Sequence, residues 1–246
     1  MCYTFAAAMT EKELEQRFQA DRDESIKFQH EANYYLSGFT FPSVSIVKMG
    51  EEGPILSHCN WGLIPAWVQD EKKADTIRAF TLNAKSESLT EKPSFKHLLT
   101  SNRCIVPASG FFEWKHEGKA KNPYYIFRAN SGIMAFAGLY ESWCNNRTGE
   151  IANTCTIITT SANELVAKIH NTKKRMPVIL TRGNEELWID PKYSEQDALQ
   201  LLLPLETVEM AAHPISSNIS KKNGDKNHRG TIAAVSPPPV QGNLFD

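Results

Sequence analysis

Between Arg103 and Thr160 the chain passes through a succession of short segments rich in Val, Ile, Phe, Tyr and Thr. They cover residues 103–106, 110–114, 124–127, 133–139 and 154–160, and Gly, Pro or Asn turns separate them. A similar run lies at 43–48. Such composition between turn residues reads as β-strand. Strands that follow one another more often than they alternate with helices build a mainly antiparallel sheet. The expected fold class is α+β, a single domain with a mainly antiparallel, barrel-like sheet core flanked by short helices.

The helices are expected at a few marked places. Thr10 followed by Glu13 is a capping-box pattern, and Leu14, Phe18 and Ile26 behind it predict an amphipathic helix to about residue 30. Ser161 and Glu164 make a second such box, opening a short helix through Leu165 and Ile169 that ends at His170 and Asn171. Residues 80–83 and 178–180 read as extended, and 185–189 and 194–203 as helical. No repeat or internal linker interrupts residues 1–235, so they form one expected domain. After Ala234 comes Ser236-Pro237-Pro238-Pro239, a stiff extended spacer, and then a terminal peptide to Asp246.

With 246 residues, 41% hydrophobic and 22% charged, the composition is globular and excludes a disordered or fibrous chain. No stretch approaches the roughly 20 apolar residues of a membrane span, and the N-terminus lacks a signal peptide's basic region. The five cysteines, at 2, 59, 104, 144 and 155, are odd in number and lack CxxC spacing. They argue against a disulfide framework or zinc site and fit a reducing, cytoplasmic setting. No metal-ligand cluster, phosphate loop or dinucleotide fingerprint is present, so neither cofactor nor metal is expected. The net charge is −1, but it is unevenly spread. Residues 1–52 hold five basic and nine acidic side chains, whereas 70–130 hold eleven basic and seven acidic. Basic blocks of this kind either meet phosphates or are simply solvated surface.

Certain residues could carry chemistry. Cys2 becomes the first residue if the initiator Met is removed, giving an amine of pKa about 7.7–8.0 beside a thiol of pKa about 8.5. Such a 1,2-aminothiol condenses with an aldehyde to an imine, and the thiol then closes a five-membered thiazolidine; internal cysteines cannot do this. Glu113, between aromatics on an expected strand, is either an outward residue of an alternating strand or a dehydrated carboxyl fit for acid–base work. His170, at a helix C-terminus beside a basic loop, is either an ordinary helix-end histidine or an imidazolium proton donor. Asn83 ends the run from Phe80 and is followed by Lys85 and Glu87.

Together these positions form a pattern. Cys2, Trp61-Gly-Leu-Ile-Pro65-Ala-Trp67, Asn83-Ala-Lys85-Ser-Glu87, Pro107-Ala-Ser-Gly110-Phe-Phe-Glu113-Trp114, His170 followed by Arg175-Met-Pro177-Val, and His213-Pro-Ile-Ser216 resemble the SOS-response-associated peptidase (SRAP) family in order and spacing. The resemblance extends from about residue 2 to 230. It implies a DNA-repair role: an abasic-site sensor on single-stranded DNA that forms a covalent crosslink through its N-terminal cysteine. By the same resemblance, Asn83 positions the amine and the sugar, Glu113 handles protons, and His170 assists opening of the deoxyribose ring. Trp61 and Trp67 flank a Gly-Pro turn and are stacking candidates against an unpaired base, or core tryptophans. Lys85 and Arg175 are phosphate candidates, Arg175 alternatively a surface-loop residue.

The chain departs from the family at its opening, where Met-Cys-Gly-Arg is here Met1-Cys2-Tyr3-Thr4, losing an arginine and glycine's backbone freedom. Lys85 stands where the family has arginine, keeping charge without bidentate binding. The loop from Thr172 to Lys174 is longer than the family's pattern. Gln241, Leu244 and Phe245 resemble the peptide by which bacterial replication proteins dock on the sliding clamp, or else cap a strand. A monomer is expected, associated with the nucleoid if the chain is bacterial. Two other functions are consistent with the same residues. One is a cysteine peptidase with Cys2 as nucleophile, His170 as base and Asn83 or Asn171 as orienter; the other is a noncatalytic, clamp-associated DNA adaptor.

Overall fold

The computed structural model describes residues 2–27 and 29–235. The tail with Gln241, Leu244 and Phe245 lies outside them. In chain order the strands are β1 Thr4–Ala7, β2 Asp21–Arg22, β3 Asn33–Ser37, β4 Ser43–Met49, β5 Pro54–Trp61, β6 Asn83–Lys85 and β7 Arg103–Ala108. There follow β8 Gly110–Glu117, β9 Ala120–Arg128, β10 Met134–Cys144, β11 Ile151–Ser161, β12 Arg175–Pro177, β13 Ile179–Leu180 and β14 Met210–Pro214. The helices are α1 Glu11–Phe18, α2 Glu71–Phe80, α3 Glu164–Ile169, α4 Arg182–Ile189 and α5 Glu195–Gln200.

The runs between 103 and 160 pair as their short turns require: β8 with β9, β7 with β10 and β10 with β11, all antiparallel. The larger sheet continues from β7 through β4 to β5. β5 then returns to β11 in parallel, Asn60 beside Thr154 and Trp61 beside Cys155, which closes a five-stranded barrel. Closure removes the free edges that these strands would otherwise present. The second sheet runs β14-β9-β8-β1-β3. Phe5 of β1 and Phe111 of β8 meet barrel residues, Phe5 packing 5.2 Å from Trp61 and both rings lying about 6 Å from Phe136. Each of these fully buried side chains contributes roughly 1.5–3 kcal/mol by leaving water.

Sequence signals at the helices are honoured unevenly. The Thr10–Glu13 box forms as expected, but α1 stops at Phe18 because Gln19 takes the left-handed conformation and caps it. Arg17 then fastens the helix to Glu185 through contacts of 2.8 and 2.6 Å. The cap of α3 is Asn163, whose side chain accepts from Val166 N–H, and not Ser161, which ends β11. Residues 80–83 are not one extended run: Phe80 ends α2 and Asn83 begins β6, aligned in parallel with Ile157 of β11. β5 carries no clean apolar alternation, since Ser57 is buried in it beside Leu56 and Cys59. The five cysteines are all free.

A buried arginine fixes the helical flank. Arg103, 1% exposed, donates from Nε to the Trp188 carbonyl at 2.5 Å and from its other nitrogens to the carbonyls of Leu99, Asp190 and Tyr193. Arg103→Met keeps the stem but strands those buried acceptors, each costing about 1–3 kcal/mol. Urea unfolding is expected to show a loss of about 3 kcal/mol or more. A loss below about 1 kcal/mol means that the carbonyls find other partners.

Candidate active site and nucleic-acid interface

The site is built around β8. Gly110 opens that strand so close to β9 that a Cβ there would lie 2.5 Å from the Tyr125 ring and 2.6 Å from the Ile126 carbonyl. Only glycine permits this approach. Beyond it, strand alternation gives Phe111 and Glu113 the same face, directed to the main core, while Phe112 packs with Ala6, Tyr125 and Ile219 on the other. Glu113 is therefore buried, at 5% exposure, and Oε1 has no hydrogen-bond partner. Burial pushes its carboxyl pKa up to about 8, so the group holds its proton at neutral pH.

Cys2 is the next component. It is wholly enclosed within the core cluster that contains Phe111, and its thiol donates to the Thr4 carbonyl at 3.7 Å. Burial, and secondly the Glu113 carboxylate, push its pKa well above the ordinary thiol value. At neutral pH the sulfur is therefore a protonated thiol. That environment is the reverse of the one that activates a thiolate nucleophile.

His170 ends α3, as expected, but not as the imidazolium expected from a helix C-terminus. Burial lowers its pKa, more than the hydrogen bond to the Arg175 carbonyl raises it. Nδ1 lies 2.9 Å from that carbonyl, which can only accept, so Nδ1 carries the proton and Nε2 the lone pair. Nδ1 is also 3.4 Å from Glu113 Oε1. At neutral pH this is a contact between two uncharged groups, because both shifts favour the neutral forms. Asn171 does not orient His170; its amide exchanges hydrogen bonds with the His116 backbone.

Above these residues opens a cleft of about 980 Å3, with Glu113 and His170 in its wall. Lys85, Lys121, Lys173, Lys221, Lys222 and Lys226 line it, and so do Tyr3, Tyr35 and Trp114. Glu113 is the only carboxylate among the described lining residues, and it is protonated at neutral pH. The cleft combines cationic and aromatic character, the pairing that suits a flexible phosphate backbone with unstacked bases. Asn83 is not in this wall. It lies 7% exposed in an adjoining hollow that shares Lys85, with neither amide atom partnered.

The remaining candidates separate. Trp61 is fully buried and donates its indole N–H to Leu82 O at 2.7 Å, so it is a core residue and cannot stack on a base. Trp67 is 55% exposed. Arg175 reaches the cleft but its guanidinium is held by Glu87 at 2.6 and 3.0 Å and by Thr159 O at 2.6 Å. It is a strut of the wall before it is a phosphate ligand. Sequence reasoning missed Phe39, exposed and stacked 5.0 Å from the Tyr3 ring, and the lysines after Ser220. The pair Lys221-Lys222 was the available signal, but nothing local places it beside β8.

The family model described as SOS response associated peptidase (SRAP) matches residues 1–222. Abasic site processing protein YoqW of Bacillus subtilis (strain 168) is 42% identical over 228 residues, spanning 91% of this chain and 96% of the relative. Abasic site processing protein HMCES of Gallus gallus is 32% identical over 193 residues, covering 70% of this chain and 55% of its own. Among solved structures, a crystal structure of a Bacteroides thetaiotaomicron protein superposes with a TM-score of 0.89 at 37% identity, covering 96% of this chain and all of the other.

Proposed function

The chain belongs to the SOS response associated peptidase (SRAP) family, and from that premise we propose that it processes abasic sites in single-stranded DNA by bonding to them through Cys2. The relatives named for abasic-site processing support the substrate. One observation carries the reading: Glu113 and His170 lie 3.4 Å apart in the wall of a basic, aromatic cleft, with Glu113 near enough to the enclosed Cys2 thiol to raise its pKa.

The chemistry starts once the Met1–Cys2 bond is cut. His170 Nε2 takes the proton of the sugar's anomeric hydroxyl, the C1–ring-oxygen bond breaks as the aldehyde forms, and the same proton passes from His170 to the departing ring oxygen, which becomes the C4′ hydroxyl. The Cys2 amine adds to the aldehyde carbon, and the protonated Glu113 supplies the proton with which the hydroxyl departs as water. The thiol then adds across the C=N bond: a C–S bond forms, Glu113 takes the thiol proton, and the nitrogen ends protonated as a ring amine. With the thiol pKa raised, the amine attacks first and the sulfur second. Asn83, with both amide atoms unpartnered, orients the sugar or the amine. Lys85 and the lysines beyond Ser220 hold phosphates, and Trp67 stacks against a neighbouring base.

The peptidase reading gains less from the same geometry. It calls for a thiolate oriented by a histidine, whereas the Cys2 thiol donates to Thr4 O and is held in its protonated form. The test is intact mass. The purified chain is expected to lack Met1 and, after incubation with an abasic single strand, to gain the mass of one oligonucleotide less one water under denaturing conditions. Retention of Met1, or no gain of mass, overturns the proposal.

A further inference from the structure

The hollow beside the cleft enters the chemistry just described only through Asn83 and Lys85 in its wall. It encloses about 630 Å3, within the roughly 300–1,000 Å3 range of small-molecule sites. Phe95 is buried against it, Ser88, Pro93 and Ser94 border it, and Phe80 stands at its edge. Phe80 is 80% exposed. Helix α2 turns Ala74 and Ile77 toward Val68 and Trp143 and leaves the Phe80 ring in solvent. A free aromatic face at a concave surface suits a planar partner. Charge does not oppose this, since the lining sets two lysines, Lys85 and Lys92, against two glutamates, Glu87 and Glu91. The hollow has no cationic excess and therefore suits a base better than a phosphate.

Its position connects it to the cleft. Lys85 lines both, and Asn83, two residues earlier on β6, lies at its inner wall with both amide atoms unpartnered. A strand leaving the cleft over Lys85 crosses with a phosphate at that ammonium and delivers its next base to Phe80. We propose that this hollow is a subsite for the nucleobase adjacent to the abasic residue on one side, stacked on Phe80. The inference rests on the reading that the cleft holds the abasic strand.

Oligonucleotides ending at the abasic residue are compared with ones carrying a single extra nucleotide on the 3′ or the 5′ side. For the wild-type protein one of the two additions is expected to lower the half-saturating concentration for adduct formation about fivefold to a hundredfold. Phe80→Ala removes that gain and leaves the shortest oligonucleotide unaffected, and Phe80→Tyr, which keeps the stacking face, restores it. A Phe80→Ala protein that responds to every oligonucleotide as the wild type does, or that weakens equally on the shortest one, overturns the subsite. If the wild-type protein forms no adduct at all, the abasic reading has failed. The same variants are then titrated with intact single strands by fluorescence anisotropy, where loss of affinity in Phe80→Ala sustains the hollow as a base site and unchanged affinity removes it.

Discussion

A Cys2→Ser protein with a free N-terminus forms no adduct that survives denaturation, while it still forms an imine that a hydride reductant traps. The amine is intact in this variant, so condensation with the aldehyde proceeds. What is lost is closure by sulfur, since the oxazolidine formed by a hydroxyl opens again far more readily than a thiazolidine. The expected loss on a denaturing gel is complete, at least a hundredfold in yield, and treatment with borohydride brings the band back. The substitution is nearly isosteric in a fully enclosed position, so the fold tolerates it. A chain bearing extra residues ahead of Cys2 fails in both assays, because it has neither a free α-amine nor the aminothiol. Adduct formation by either protein without reductant contradicts the mechanism. So does equal DNA capture by wild type and Cys2→Ser under denaturing conditions, the behaviour of a noncatalytic adaptor.

The second large effect is expected at Glu113. Glu113→Gln keeps size and polarity but can neither donate the proton that expels water nor accept the one from sulfur. General acid–base groups supply about 10²–10⁴ in rate, and adduct formation should slow by that factor. In the wild-type protein the pKa of about 8 places a descending limb in the pH–rate profile above that value, as the carboxyl loses its proton; Gln should abolish that limb. Stability depends on the same carboxyl. The folded-state pKa is raised above the solvent value of about 4.3, so between these pH values the folded chain holds a proton that the unfolded chain has released. Stability from this group falls as pH rises through that window and is lowest above about 8. Glu113→Gln is therefore expected to be no less stable than wild type at pH 6 and more stable at pH 9, measured by urea midpoints. A variant that reacts at the wild-type rate, or is destabilised more at pH 9 than at pH 6, removes Glu113 from the chemistry.

Those two residues differ in how far the sequence discloses them. The chemistry proposed for Cys2 is legible in the linear chain, because an N-terminal aminothiol depends only on covalent neighbours. Glu113 is not, because an alternating strand has two faces and the sequence does not say which one meets the core. Gly110, which lets β8 approach β9, and the packing of Phe111 against Phe136 turn Glu113 inward. His170 makes the same point in reverse. A helix terminus favours imidazolium, but burial leaves it neutral, and the Arg175 carbonyl, by accepting from Nδ1, leaves Nε2 with the lone pair.

What the chain determines by itself is local. The β-rich segments between 103 and 160, their antiparallel order and the cap at Thr10 follow from propensity and turn residues, and the aminothiol that loss of Met1 would expose at position 2 follows from covalent chemistry. Tertiary structure alone decides the parallel return of β5 to β11 that closes the barrel, the burial of Trp61, the tie between Arg175 and Glu87, and the meeting of Lys85 with Lys221 and Lys222 across one cleft. Each of these joins segments far apart in the chain. The choice among such pairings is set by which combination buries the most apolar surface while leaving the fewest polar groups unpaired, a property of the whole fold that no short window contains.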